Sequence, residues 1–275
     1  MQLHPWNGDF KWETPRGPFR RVTEAEATQF DEQGFVVLED LVDPDLVKRV
    51  TEELDEYEST VDAFLRTQAD DRIMIAEAGA ITFTTHLVAQ SELARAFATQ
   101  EVFVDLCADL LGPDVDMYWD QAVYKKTGKP RRFPWHQDNG YTFIEPQQYL
   151  TCWVALTDAT VDNGCPWVAP GLHRLGTLAH RYVEPLGYEC FHEPPAKVAA
   201  AVGAGGVIVF SSLTPHLTGP NLTSDVRKAY ILQYAHAGSH VLRGDPTAGP
   251  PTHRELCNDP SRQFPILRRG VNVVP

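Results

Sequence analysis

The spacing of apolar and polar positions changes character once along the chain. Up to residue 113 apolar residues recur mostly at helical spacing, whereas from Asp114 they fall in short β-rich runs broken by Gly, Pro, Asn and Asp. Thr23-Glu24-Ala25-Glu26 has capping-box spacing, and Ala27, Phe30 and Gln33-Gly34 complete a short helix and its stop. Phe35 to Leu38 predicts a strand. Asp43-Pro44 places an N-cap before a proline at the first helical position, and Leu46, Val47, Val50, Leu54 and Tyr57 form the apolar stripe of a helix packed on a sheet. The acidic stretch Glu52, Glu53, Asp55, Glu56 and Glu58 reads as its solvated face. Residues 61–90 carry a weaker pattern, with Ile73-Met74-Ile75 and Ile81-Thr82-Phe83 as short strands. Residues 91–98 and 101–111 predict two helices that end at Gly112-Pro113.

Strand-like runs follow at residues 116–124, 149–156 and 227–237. This order predicts an α+β, mainly β fold: a double-stranded β-helix, or jelly roll of cupin-like type, with flanking N-terminal helices. The length suits one domain over residues 1–275, divided into an aromatic-rich arm (1–22), a helix-rich flank (23–113), the jelly-roll core (114–237) and an irregular Pro- and Gly-rich tail (238–275). That tail reads either as a lid over the barrel mouth or as inert wrapping.

A net charge of −13 argues against nucleic-acid and anionic-membrane surfaces, which are bound through clustered Lys and Arg, and leaves a small molecule as the expected partner. Cys107, Cys152, Cys165, Cys190 and Cys257 are odd in number and contain no Cys-x-x-Cys pair, which predicts free thiols in a reducing compartment. With no signal-like apolar run in residues 1–21 and no membrane-length apolar stretch, a cytoplasmic protein is expected.

The chemistry concentrates at Pro134-Trp135-His136-Gln137-Asp138-Asn139-Gly140 and, far along the chain, His216. His and Asp two positions apart project to one side only if the chain between them is extended. Two such ligands and a distant His make a 2-His-1-carboxylate triad that leaves positions open on non-haem Fe(II). The pair alone carries little weight: 10 His and 37 acidic residues give about 1.3 His-x-acid pairs by chance, and two occur. The second, His253-Arg254-Glu255, lies among Asp245-Pro246, Gly249-Pro250-Pro251 and Pro260, which predict turns rather than a strand. His136 instead sits between β-forming runs.

Several segments then resemble the phytanoyl-CoA dioxygenase-like Fe(II)/2-oxoglutarate oxygenases: residues 135–138, 151–158, Asn163-Gly164 through Pro170-Gly171-Leu172-His173, Gly205 to Phe210, His216 to Asn221, and Arg227 to Tyr230. Their order and spacing suit that family across roughly residues 23–236. Two departures are visible: Leu172 where the family often has Ser, and Cys165-Pro166 in place of a small or polar pair.

The resemblance implies metal ligation by His136, Asp138 and His216, with O2 and 2-oxoglutarate as co-substrates. It also implies that Arg227, eleven residues beyond His216, grips the distal carboxylate of 2-oxoglutarate through a planar guanidinium. Thr218 falls beside that Arg, Trp153 lines the co-substrate pocket, and Gln121 stands near its iron-bound end. The implied reaction yields succinate and CO2 and hydroxylates an unactivated C–H bond of a small-molecule or lipid-like metabolite. A carboxylate at position 138 favours hydroxylation over halogenation, while desaturation and ring formation remain open. Lys125, Lys126, Lys129, Arg131 and Arg132 form a basic loop that reads either as a solvated turn or as an attractor for an anionic substrate. Two other readings stay open: a cupin-type metal enzyme that uses no keto acid, and a non-catalytic ligand-binding barrel.

Overall fold

The computed structural model describes residues 1–274. The flank follows its local signals. Helix α1 (Glu24–Gln33) opens on the Thr23–Glu26 capping box and stops at Gly34, whose φ of 83° favours glycine. Helix α2 (Pro44–Leu65) is capped by Asp43, which accepts the Leu46 N–H at 3.0 Å. Helices α3 (Glu92–Ala98) and α4 (Glu101–Leu110) complete the flank. In α2 the stripe Val47, Val50 and Leu54 is buried, each side chain contributing about 1.5–3 kcal/mol relative to exposure.

The same stripe corrects the reading of the acidic stretch as wholly solvated. Glu58 is one helical turn beyond Leu54 and is only 5% exposed. Its carboxylate accepts from Thr82 Oγ1 and pairs with Lys126, both at 2.7 Å. Asp55 likewise accepts from the Tyr124 hydroxyl and pairs with Lys228. The helix lies on the sheet, so Glu58 meets a cation instead of water, while Asp55 at the margin of the contact stays partly exposed.

The main sheet is antiparallel. It runs Phe35–Leu38, Val207–Ser211, Leu150–Ala155, Arg227–His236, Val115–Lys125 and Ile81–Thr85, and ends in the short strands Ala76–Glu77 and Arg72–Ile73. A second sheet contains Val198–Ala199, Pro166–Val168, His216–Thr218 and Phe133–His136 in that order. Alternation along the main strands divides the core in two. Ala122, Tyr124, Tyr230, Leu232, Cys152, Val154, Val207 and Val209 face the helices. Val123, Ala229, Ile231, Trp153, Ala155, Ile208 and Phe210 share a cluster with Phe133 and Val168 of the second sheet. Both faces are buried, which is why these strands read as near-continuous apolar runs. This double-sheet arrangement, with helices on the outer face, is the jelly-roll architecture expected.

The tail is more regular than its composition predicts. Strand His240–Arg243 pairs with His253–Leu256 and with Ile144–Glu145, and Pro265–Arg268 pairs with Val115–Lys125. An open strand edge supplies unpaired N–H and C=O groups, and these organise a tail whose local sequence favours turns. His253 and Glu255 therefore lie on a strand, contrary to expectation, but both are exposed, and Glu255 pairs with Arg243. Among the described residues, only His136, Asp138 and His216 form a potential metal cluster, and no helix is long and apolar enough to cross a membrane.

Candidate active site

The two histidines meet through strand register. Strand His216–Thr218 pairs antiparallel with Phe133–His136 and sets His216 directly opposite His136, ring centroids 4.1 Å apart. The chain stays extended through Gln137 (φ −109°, ψ 144°) and then turns, so Asp138 returns to the same side. Asp138 Oδ1 lies 3.9 Å from His136 Nε2 and 3.8 Å from His216 Nε2. One ligand atom from each residue lies within 4.8 Å of the others.

Backbone carbonyls orient both rings. Nδ1 of His136 donates to Pro134 O at 2.9 Å, and Nδ1 of His216 to Thr214 O at 3.0 Å. A carbonyl can only accept, so each Nδ1 carries the proton and each Nε2 keeps its lone pair for a metal. Burial, reinforced by the neighbouring His216, lowers the His136 pKa well below its ordinary value and keeps the ring neutral.

The turn between the ligands is fixed from behind. Gln137 N–H donates to His180 Nε2 at 2.9 Å, while Nδ1 of His180 donates to Leu178 O. The Gln137 carboxamide donates to Gly176 O and Leu213 O and accepts from Leu178 N–H. Gly140 makes room for this bracing, because a Cβ there would lie 2.0 Å from His180 Cε1.

Thr151 supplies a second brace. Its hydroxyl donates to Asp138 Oδ2 at 2.6 Å and accepts from Gln233 Nε2 at 3.3 Å. Sequence reasoning singled out none of His180, Thr151 or Gln233 as site residues. Thr151 and Gln233 lie on predicted strands, but their meeting depends on cross-strand register.

The predicted residues Gln121, Trp153, Thr218 and Arg227 all line the cavity beside the triad, with Ile81, Phe83, Val123, Phe133, Phe210 and Ile231. Gln121 accepts from Trp119 Nε1 at 3.3 Å. Arg227 is 1% exposed, and its Nε, Nη1 and Nη2 have no hydrogen-bond partner among the described residues. Its guanidinium carbon lies 5.0 Å from the centre of the Trp153 ring. Burial lowers the Arg227 pKa to about 9, which leaves it charged at neutral pH.

Lys125 lies opposite Arg227 in strand register and is equally buried. Its ammonium donates to the carbonyls of Arg131 (2.9 Å), Thr218 (3.1 Å) and Gly219. Three protons meet three acceptors, so Lys125 has nothing left to offer a ligand and Arg227 is the available cation. The other cations of the basic loop are also engaged: Lys126 by Glu58, Lys129 and Arg131 by Glu77, and Arg132 by Glu189. These partners tie the loop to the body of the protein, in keeping with a structural turn. Three acids distant in sequence thus offset part of the charge of four cations.

A second cavity lies along the same interior strand face. Trp119 is two residues from Gln121, and the cavity beside it is lined by Tyr118, Thr142, Arg243, Arg262 and Gln263 among others. Arg243 and Arg262 both line this cavity, and the Arg262 guanidinium lies 5.9 Å from the centre of the Trp119 ring.

Known proteins resemble the chain over most of its length. The sequence model of the family described as phytanoyl-CoA dioxygenase matches residues 30–229. The phytanoyl-CoA dioxygenase of Arabidopsis thaliana is 25% identical over 262 aligned residues, covering 82% of this chain and 90% of the relative. The methylphosphonate hydroxylase of Gimesia maris is 29% identical over 169 residues, covering 58% of this chain and 60% of the relative. The crystal structure of EvdO2 from Micromonospora carbonacea var. aurantiaca, complexed with 2-oxoglutarate, shares the fold at a TM-score of 0.61 and 23% identity, covering 80% of this chain and 93% of that one.

Proposed function

The chain belongs to the phytanoyl-CoA dioxygenase family, and from that premise we propose that it is an Fe(II)- and 2-oxoglutarate-dependent oxygenase that hydroxylates a small-molecule or lipid-like metabolite. His136, Asp138 and His216 hold the iron, and Arg227 receives the distal carboxylate of the keto acid. Residues 1–275 act as one oxygenase domain, and the five free thiols support a reducing, cytoplasmic setting.

The observation that carries this reading is the buried guanidinium of Arg227, with no hydrogen-bond partner among the described residues, in the same cavity as a His-Asp-His cluster. A buried charge without partners is costly, and a carboxylate accepting two parallel N–H bonds would satisfy it. The donor set fits the metal as well: two imidazoles and one carboxylate would occupy part of an octahedral shell, whereas a structural zinc site usually presents four protein ligands. Fe(II) with 2-oxoglutarate and O2 supplies the oxidative chemistry, in which the keto acid becomes succinate and CO2. The chain supplies orientation and exclusion of water. Trp153 walls the co-substrate site, Thr218 and Gln121 offer polar atoms along it, and Phe83, Phe133 and Ile81 form an apolar surround.

The substrate we propose is small and anionic, and the cation that would read it is Arg262 rather than the basic loop or Arg243, which Glu255 engages at both Nε and Nη2. Arg262 meets Asp259 through Nε at 2.9 Å, and no hydrogen bond engages its terminal nitrogens among the described residues. The methylphosphonate hydroxylase among the relatives supports an anion of this size.

The test is an anaerobic titration of metal-free protein with Fe(II) and then 2-oxoglutarate, following the visible charge-transfer band produced by chelation. A saturable band in the wild type, absent in His136→Ala, is expected. Iron binding without a band would favour an enzyme that uses no keto acid, and folded protein that binds no iron would favour a binding barrel.

A further inference from the structure

The two oxygens of the Asp138 carboxylate have different surroundings. Oδ1 points at both imidazole Nε2 atoms, whereas Oδ2 is taken by the Thr151 hydroxyl at 2.6 Å. Thr151 is fully buried, and Gln233 is 7% exposed. A hydroxyl has one proton to give. An ionised carboxylate only accepts, so that proton belongs to Asp138, and Gln233 must present its NH2 group to the Thr151 oxygen. The two bonds form a directed relay from Gln233 through Thr151 to Asp138. Strand register builds it, since Gln233 is the cross-strand partner of Thr151.

We infer that Thr151 and Gln233 are positioning residues that hold Asp138 to ligation through a single oxygen. A carboxylate free to rotate about its last torsion can offer both oxygens to a cation, as two-oxygen carboxylate ligation commonly does. In that mode it would take one of the three positions that the triad would leave on an octahedral ion, so that a chelating keto acid would fill the other two and none would stay open. The short, charge-assisted bond to Oδ2 opposes the rotation, and the bond from Gln233 keeps the hydroxyl proton aimed at Asp138. This inference rests on the iron and keto-acid reading of the site.

The test uses full-length protein carrying Thr151→Val, which removes the hydroxyl at nearly constant volume, together with Thr151→Ser and Gln233→Met. Fe(II) affinity, 2-oxoglutarate affinity and the shape of the charge-transfer band are measured anaerobically, with thermal unfolding of each variant as a check on folding. Thr151→Val is expected to weaken Fe(II) binding about tenfold or more, in the range found for outer-shell partners of metal ligands, and to alter the band formed with 2-oxoglutarate. Thr151→Ser should restore both, and Gln233→Met should shift them in the same direction by less. Wild-type affinities and band in Thr151→Val would overturn the inference. Equal losses in the Val and Ser variants with lowered unfolding temperatures would also overturn it, in favour of plain packing. Wild-type protein without any band would instead sink the keto-acid reading, and this inference with it.

Discussion

Replacing Arg227 with methionine should weaken 2-oxoglutarate binding and, at the same time, stabilise the ligand-free protein. The guanidinium is 1% exposed and has no hydrogen-bond partner among the described residues. Its pKa falls from 12.5 to about 9 through burial. At about 1.4 kcal/mol per unit, holding the charge there costs on the order of 5 kcal/mol. Both the folded and unfolded values lie above neutrality, so the whole cost is present at pH 7. The Trp153 ring offsets part of it, by about 2 kcal/mol for a desolvated contact. A methionine of similar reach should therefore stabilise the ligand-free protein by about 1–3 kcal/mol, within the range seen when buried charges give way to apolar side chains. For a chain of this size that corresponds to a rise of about 2–10 °C in unfolding temperature. The same substitution removes two charge-assisted hydrogen bonds from the keto acid, about 3–5 kcal/mol together, and should raise its dissociation constant about a hundredfold to a thousandfold or more. Fe(II) affinity without keto acid should not change. Thermal unfolding of metal-free protein and the anaerobic titration read the two effects separately. Unchanged keto-acid affinity would refute the carboxylate role, and a lower unfolding temperature would refute the claim that the buried charge is unsatisfied.

Two other sites make separable predictions. Asp120 is fully buried on the helix side of the sheet, accepting from the Tyr230 hydroxyl and Val88 N–H, and burial raises its pKa from 3.8 to about 6. The folded state therefore holds a proton between about pH 4 and 6 that the unfolded chain has lost, so stability falls as pH rises through that window, by about 3 kcal/mol. Asp120→Asn should flatten this part of a denaturant-derived stability profile, and identical pH slopes for the two proteins would disprove the assignment. Gly140→Ala would press a methyl group into the His180 ring. It should loosen the Gln137 turn and lower Fe(II) affinity about tenfold, whereas unchanged iron binding would show that the turn holds without His180.

Much of the architecture was legible because its causes are local. The Thr23–Glu26 box, the Asp43-Pro44 start and Gly34 specify helix ends within a few residues of themselves, and each feature is present in the structure. The burial of Glu58 is legible as well, since it continues the apolar stripe of α2 by one turn, although it stands in an acidic stretch. The nomination of His136, Asp138 and His216 came from an extended-chain spacing and a family pattern, and Arg227 from that pattern; the fold places all four around one cavity.

The rest belongs to tertiary structure. No local signal pairs Lys126 with Glu58 or Arg131 with Glu77, so the charge of the basic loop could not be judged from the loop. The tail looked irregular because its Pro and Gly residues favour turns, yet its strands form where other segments leave hydrogen-bonding edges open. Thr151 and Gln233 are ordinary strand residues until antiparallel register brings one beneath Asp138 and the other beside it. The sequence by itself determined which side chains have the chemistry to bind a metal and a carboxylate. Only the fold decided which charges remain unpaired and which oxygen of Asp138 faces the metal site, because both depend on contacts between residues far apart in the chain.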